Sequence, residues 1–345
     1  MSKAFRVALT GDFFKDGTPV YPDFDLSVIQ EIEGIDVAPF KENYPEIEPD
    51  QLAGAQAVVV LTPKVTRQSL SLSKDLLVIS RFGVGYDKVD VAACTEADVV
   101  LCTAVGAVDR PVAEATVGWM MALGHNLIAK DRLVREGKWH DRSGFMGSEL
   151  RGRTLGVIGL GGIGRTVVKL LEGFGMNRPL VFDPFMDAQL ATELGVEKVE
   201  LNDLMTQADF VSLHCPLNDH TQDLISEKEL SLMKPTAYII NTARGGIANE
   251  DALFDALSSR RIAGAALDCF VGEPIIIPNR FGTLDNVILA PHSIAWTHEL
   301  FRDIGSFACQ SVIDLAQGRL PRSFINPEVF EKTSFQEKWD RLKIG

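Results

Sequence analysis

The sequence predicts an α/β fold of two doubly wound units, and three observations carry that prediction. Short apolar runs alternate with polar, helix-compatible segments over the first hundred residues, and the alternation restarts at residue 154. The runs are continuous, as strands buried on both faces of a parallel sheet require. A turn with G-x-G-x-x-G spacing, Gly159, Gly161 and Gly164, stands where the first run of the second series ends. At ~100–200 residues per domain, a chain of 345 residues has the length for two.

In the first series the runs are FRVALT, GIDVAPF, AQAVVVLT, LLVISRFG and DVVLCTA. Residues 110–139 then predict one long helix: Pro111 fits its opening position, Glu114 sits in the first turn, and no proline interrupts the apolar stripe. A helix of that length reads as a bridge between domains. In the second series TLGVIGL, PLVFD, DFVSLH, AYIINT, AGAALD and NVILAP predict six strands of a dinucleotide-binding sheet. The segment HELFRDIGSFACQSVIDLAQG predicts a helix that returns to the first domain. The expected organisation is a Rossmann domain, 105–296, inserted into a discontinuous flavodoxin-like domain, 1–104 plus 297–330, with 331–345 as a tail. Phe330, Phe335 and Trp339 are candidate anchors for that tail.

Composition narrows the function. A net charge of -13 disfavours nucleic acid and anionic membranes as partners, since both need basic patches. A small acid stays possible, because it responds to the local field of its pocket. No apolar run approaches the ~20 residues of a membrane span, and MSKAFRVALTGDFF reads as a first strand rather than a signal peptide. The five cysteines are widely spaced without C-x-x-C, which suits reduced thiols in a cytoplasm. The six histidines show no H-x-x-x-H or H-E-x-x-H spacing, so no metal site is expected.

Candidate residues fall at strand ends, where ligands bind in open α/β sheets. Gly159 allows a tight turn, Gly161 lets a pyrophosphate approach the backbone, and Gly164 lets helix and strand pack closely. Free N–H groups of the following helix suit phosphate charge. Asp183 lies where an acid grips ribose hydroxyls and repels a 2′-phosphate, so NAD is expected over NADP. Later strand ends carry His214, Arg244, Asp268 with Glu273, and His292. Reducing a 2-oxo acid needs a proton delivered near neutral pH, which histidine suits. A carboxylate beside it favours the protonated ring, and Glu273 is available for that. An arginine offers paired, permanently charged donors to a substrate carboxylate, and Arg244 stands on a glycine-flanked turn. Asp268 is placed to accept a hydrogen bond from the nicotinamide carboxamide.

The motifs GLGGIGR, HCPL, NTARGG, ALDCFVGEP and APHSIAWTHE resemble, in order, those of the D-2-hydroxyacid dehydrogenase family, over roughly residues 50–328. The resemblance implies that Arg244, Glu273 and His292 form the catalytic set. It implies cofactor contacts from Gly159, Gly161, Gly162, Ile163 and Gly164, from Asp183, from His214, Pro216 and Thr221, and from Thr242, Ala243 and Asp268. It also implies that RFGVGYDKVD is a substrate loop, with Val84 and Gly85 offering backbone N–H groups. A cleft between the domains, a homodimer and a small 2-hydroxy or 2-oxo acid substrate are implied as well.

The sequence departs from the family at three places. HSIAW lacks the usual glycine after the histidine, so Trp296 either walls the cleft or packs on the bridging helix. VVVLTPKVT has Val60 or Leu61 where phosphoglycerate dehydrogenases commonly carry an arginine. In TAVGAVDRPVAEA the Asp109-Arg110 pair is unusual: Arg110 either reaches a second polar group of a larger, sugar-derived acid or pairs with Asp109 or Glu114. Two other readings share the fold: an NAD-sensing co-repressor with the same Arg/Glu/His set, and oxidation of another hydride donor such as phosphite.

Overall fold

The computed structural model describes residues 4–344. The chain forms two compact units, Met1–Val108 with Thr297–Gly345, and Asp109–Trp296. The first changeover, expected at 104/105, falls at 108/109, and the tail, 331–345, belongs to the first unit.

The first unit contains β1 (Phe5–Leu9), a short hairpin of β2 (Phe14–Lys15) and β3 (Thr18–Pro19), β4 (Ile35–Pro39), β5 (Ala57–Val60), β6 (Val78–Arg81) and β7 (Val100–Thr103). Its main sheet is parallel in the order β4-β1-β5-β6-β7. Without the hairpin that is the flavodoxin-like 2-1-3-4-5 order. Val58, Ile79 and Leu101 lie in register across its centre and are fully buried, which explains the unbroken apolar runs. The helix His298–Ala316 packs on β6, where the Ser80 hydroxyl donates to Ala308 O at 3.1 Å. Thr297 caps it by accepting from Leu300 N–H. A Cβ on Gly305 of this helix would stand 2.4 Å from the Phe24 ring, so glycine is what lets that ring close on the helix.

The tail is a helix, Thr333–Leu342, with Phe335 fully buried. Phe330, Phe335 and Trp339 pack edge-to-face or tilted at 5.4–5.9 Å. The Trp339 indole donates to Leu315 O at 2.6 Å, and Lys338 Nζ donates to Leu76 O at 2.8 Å and Ala97 O at 3.1 Å.

The second unit holds β8 (Leu155–Ile158), β9 (Leu180–Phe182), β10 (Glu197–Lys198), β11 (Phe210–Leu213), β12 (Tyr238–Asn241), β13 (Gly264–Leu267) and β14 (Val287–Leu289). All are parallel, in the order β10-β9-β8-β11-β12-β13-β14. Successive residues feed opposite cores: Ile239 and Ala265 serve one layer, Ile240 and Ala266 the other. The strand that the sequence reading missed, β10, is two exposed charged residues with no apolar signal. Strand order reverses between β8 and its neighbours β9 and β11, which makes the carboxyl end of β8 the switch point where ligands bind.

The single long helix expected over 110–139 is not formed. One helix spans Asp109–Gly124, a second Leu127–Arg135, and a 3-10 segment follows at Trp139–Phe145. The break has a cause in the chain that crosses there: Ser148 N–H donates to Gly124 O at 2.6 Å, and Asn126, at φ 53°, donates its side-chain amide to Met146 O at 2.9 Å. The first contact takes the carbonyl that a continuous helix would bond to residue 128, and the second holds Asn126 in its left-handed conformation. Among the described residues no helix is long and apolar enough to cross a membrane.

Candidate active site

The second unit gathers most of the expected residues along the carboxyl edge of its sheet. Gly159 follows β8 at φ 91°, where a Cβ would lie 2.7 Å from Cys215 N, so the turn needs glycine twice over. Gly164 lies in the first turn of the helix Gly162–Leu170, and a Cβ there would stand 2.5 Å from Gly159 O. At Gly161 a Cβ would meet nothing within 4 Å, so one side of the turn is open to an approaching group. Ile163 is half-buried against the core of this unit. At the end of β9 the Asp183 carboxylate accepts from Leu160 N–H at 2.7 Å and Phe185 N–H at 2.8 Å, so it also holds the glycine turn. The open turn, the free first N–H groups of the helix and the adjoining acid fit the phosphates and ribose of a dinucleotide.

His214 ends β11. Its Nε2 lies 2.8 Å from the Ser212 hydroxyl, and its Nδ1 is buried without a hydrogen-bond partner. Burial pushes its pKa down to about 4, so the ring is neutral at neutral pH and unsuited to delivering a proton there. Thr221 donates to Pro216 O at 2.6 Å and closes the loop that follows. After β12, the hydroxyls of Thr242 and Thr116 are 3.3 Å apart. Asn241 shapes the next turn by accepting from Ala243 N–H and donating to Arg244 O. Arg244 is half-buried there and donates to Ala243 O at 2.7 Å.

The reacting end is built by the loops after β13 and β14. His292 Nδ1 is 2.6 Å from Glu273 Oε2. The other Glu273 oxygen accepts from Phe270 N–H at 2.8 Å. Burial works to raise the Glu273 carboxyl, but the His292 contact, the Phe270 N–H and the Arg244 charge outweigh it and hold the carboxyl below its ordinary value. His292 is 45% exposed at its side chain, so Nδ1 is held while Nε2 is left for a partner.

Asp268 does something the sequence reading missed. His292 sits at φ 54°, a left-handed conformation that costs a non-glycine residue roughly 1–2 kcal/mol. Asp268 O accepts from His292 N–H at 2.8 Å, and its Oδ1 accepts from Ser293 N–H at 2.9 Å and Ile294 N–H at 3.2 Å. Three bonds from one buried residue thus fix the strained loop that aims the imidazole. Burial raises the Asp268 carboxyl, and the two N–H donors work against that rise. An acid ending one strand beside a histidine ending the next was visible in the sequence; the bond pattern was not.

Cys269, Glu273 and His292 each bring one potential metal ligand atom within 4.8 Å of the others. The 2.6 Å separation of His292 Nδ1 and Glu273 Oε2 is that of a shared proton. Ligands of a tetrahedral zinc at ~2.0–2.1 Å bonds stand roughly 3.3 Å apart. As arranged, the two side chains are hydrogen-bonded to each other.

Four expected residues do not directly follow a strand of the second unit. Val84 and Gly85 belong to the first unit, in the turn after β6, and among the described residues no backbone carbonyl accepts from their N–H groups. Arg110 is exposed in the first turn of its helix and forms an ion pair with Glu114, one of the two alternatives open to it. Trp296 is half-exposed, and its N–H closes a turn onto Ser293 O at 3.0 Å.

A dinucleotide loop followed along one sheet edge by an arginine, a glutamate and a histidine defines a class of nicotinamide-linked dehydrogenase. Residues 117–293 match the family model for the D-isomer specific 2-hydroxyacid dehydrogenase NAD binding domain. The chain is 38% identical over 327 residues to a D-3-phosphoglycerate dehydrogenase of Methanocaldococcus jannaschii, covering 94% of this chain and 60% of that one. It is 34% identical over 316 residues to a glyoxylate reductase of Korarchaeum cryptofilum, covering 89% and 94%. Among solved structures it resembles an acyclic imino acid reductase in complex with NADPH and D-Arg, at a TM-score of 0.81 and 26% identity, covering 93% and 99%. The chain belongs to the D-isomer specific 2-hydroxyacid dehydrogenase family, and its second unit carries that family's NAD-binding domain. It spans 60% of the phosphoglycerate dehydrogenase it matches.

Proposed function

We propose that the protein transfers a hydride between NAD(H) and C2 of a small 2-hydroxy or 2-oxo acid of D configuration. The observation that carries this reading is the 2.6 Å contact between His292 Nδ1 and Glu273 Oε2 beside Arg244. The cofactor supplies the hydride when bound. In the direction of reduction, His292 gives the proton from Nε2 to the carbonyl oxygen, and Glu273 stabilises and orients the imidazolium. Arg244 binds the substrate carboxylate and carbonyl through its paired donors. In oxidation the same nitrogen receives the hydroxyl proton.

The substrate we favour is a short 2-oxo acid of glyoxylate or hydroxypyruvate size. Two features support this: Val60 and Leu61 put no cation where the phosphoglycerate dehydrogenases commonly have one, and Arg110 is engaged by Glu114. The relative named glyoxylate reductase points the same way.

The test follows NADH absorbance with a series from glyoxylate and pyruvate to hydroxypyruvate and longer sugar-derived acids. His292→Asn is expected to lose turnover while NADH still binds. Wild-type turnover with none of the acids, despite tight NADH binding, would transfer the reading to an NAD sensor. Undiminished activity in His292→Asn would remove His292 from the chemistry.

A further inference from the structure

Asp109, the unusual acid of the sequence, opens the helix Asp109–Gly124, and its carboxyl lies against the helix Gly162–Leu170. A Cβ built on Gly162 would stand 2.0 Å from Asp109 Oδ2 and 2.5 Å from Cγ. Gly162 is not one of the three glycines that the spacing requires; its missing side chain is the room that Asp109 occupies. The neighbouring Gly161 faces open space on the same turn. A carboxyl group therefore stands beside the helix N-terminus on which the two phosphate charges of the dinucleotide would settle.

No charged group is positioned to neutralise it. Among the described residues no hydrogen bond or ion pair engages the Asp109 side chain. On its own helix, Arg110 is paired with Glu114. On the facing helix, Arg165 donates Nε to Leu160 O at 2.9 Å. Across the turn, Asp183 accepts from Leu160 and Phe185. The helix also packs on β12 and β13; there Arg244 donates to Ala243 O, and Asp268 accepts from Ser293 and Ile294.

We infer that Asp109 makes cofactor binding proton-linked: ionised, it repels the pyrophosphate, and protonated, it donates a hydrogen bond to it. The inference rests on the glycine turn being the cofactor site. Burial already holds the Asp109 carboxyl above its ordinary range. Phosphate charge beside it disfavours the carboxylate further, so its pKa is higher in the complex than in the free protein. Binding then takes up a proton. Affinity is full below the free protein's pKa, declines as pH rises between the two values, and levels off above the complex's value. Each unit between them is about a tenfold change in Kd, since one pKa unit equals a tenfold ratio of the two protonation states.

The experiment is calorimetric titration of ADP-ribose, which carries the pyrophosphate but no nicotinamide, and of NADH, from about pH 5.5 to 8.5. Wild type is expected to bind about tenfold more weakly at the alkaline end and to take up a proton, read from heats in buffers of different ionisation enthalpy. Asp109→Asn and Asp109→Ser should bind with a flat pH profile, the first as tightly as wild type at its acid end. The same slope and proton uptake in wild type and both variants would overturn the inference and leave the cofactor reading intact. Absence of ADP-ribose and NADH binding by folded wild type would overturn the cofactor reading and the inference with it.

Discussion

The two units solve the same architectural problem with parallel sheets, yet their carboxyl edges differ in kind. In the second unit, Asp183, His214, Arg244, Asp268 and His292 follow strand after strand. In the first unit, the chain after β1 and β6 carries Phe13 and Phe82, which pack with Phe24 at centroid distances of 4.9–5.1 Å. Tyr21 stacks on Phe301 at 4.3 Å in the same cluster. The second unit's strand ends carry titratable side chains in series, whereas these two loops of the first unit add a cluster of aromatic rings. Strand topology therefore does not decide where chemistry sits; the residue that follows each strand does.

The comparison predicts that the two edges fail differently. The largest effect is expected for His292→Asn, a loss of about 10²–10⁴ in kcat, the usual share of a positioned general acid. NADH affinity should stay close to wild type, because the cofactor groups lie at other strand ends. Steady-state kinetics with parallel fluorescence titration separates the two, and a variant with normal kcat would break the assignment. In the first unit, Phe82→Ala removes a ring that is 4% exposed. It should destabilise that unit by about 3–5 kcal/mol, the range for emptying a buried aromatic site. Unfolding followed by denaturant and by bound NADH together would test this. NADH binding lost in step with the first unit would show that the two are energetically one body.

Between these lies Asp268. Asp268→Ala leaves Ser293 and Ile294 N–H without their acceptor, so the left-handed His292 keeps only its bond to the residue 268 carbonyl. Because the residue positions the imidazole, kcat should fall by roughly 10–100-fold, in line with the cost of small misplacements at a reacting centre. Asp268→Asn, which keeps an acceptor oxygen, should recover much of it. Equal losses in both variants would mean that the carboxylate's charge matters and not its hydrogen bonds.

How much of this was legible depended on how each feature is encoded. Strands announce themselves as apolar runs, most clearly where both faces are buried, so all the strands of the first unit's main sheet and six of the second were readable, the partly exposed edge strands β4 and β14 included; β10, Glu197–Lys198, is exposed on both residues and had no such signal. The glycine turn was readable because spacing and backbone geometry coincide there. The end of the helix at Gly124 was not, because its cause, the chain at residues 146–148, is distant in sequence. The strand ends named His292 and Glu273. For Arg110 the sequence offered Glu114 among several partners, and an i,i+4 pair on an exposed helix face is too weak for the sequence to decide among them.

The smallest effect belongs to one bond of the tail, and it sharpens the contrast from the other side. Phe330, Phe335 and Trp339 were candidate anchors without decisive spacing; in the structure they form an aromatic cluster under the helix Thr333–Leu342. The Trp339 indole adds a bond to Leu315 O, one of the last carbonyls of the helix His298–Ala316. Leu315 O already accepts from Gly318 N–H at 3.2 Å, so the indole is a further donor to a carbonyl at the end of that helix. Trp339→Phe keeps a ring and removes that bond, at an expected cost of about 1 kcal/mol in the stability of the first unit. Phe335→Ala, which empties a fully buried site in the same helix, should cost about 3–5 kcal/mol. Hydrogen exchange of the Thr333–Leu342 amides reads both directly. Protection unchanged in Phe335→Ala would mean that the tail is held by its lysine bonds and not by its rings.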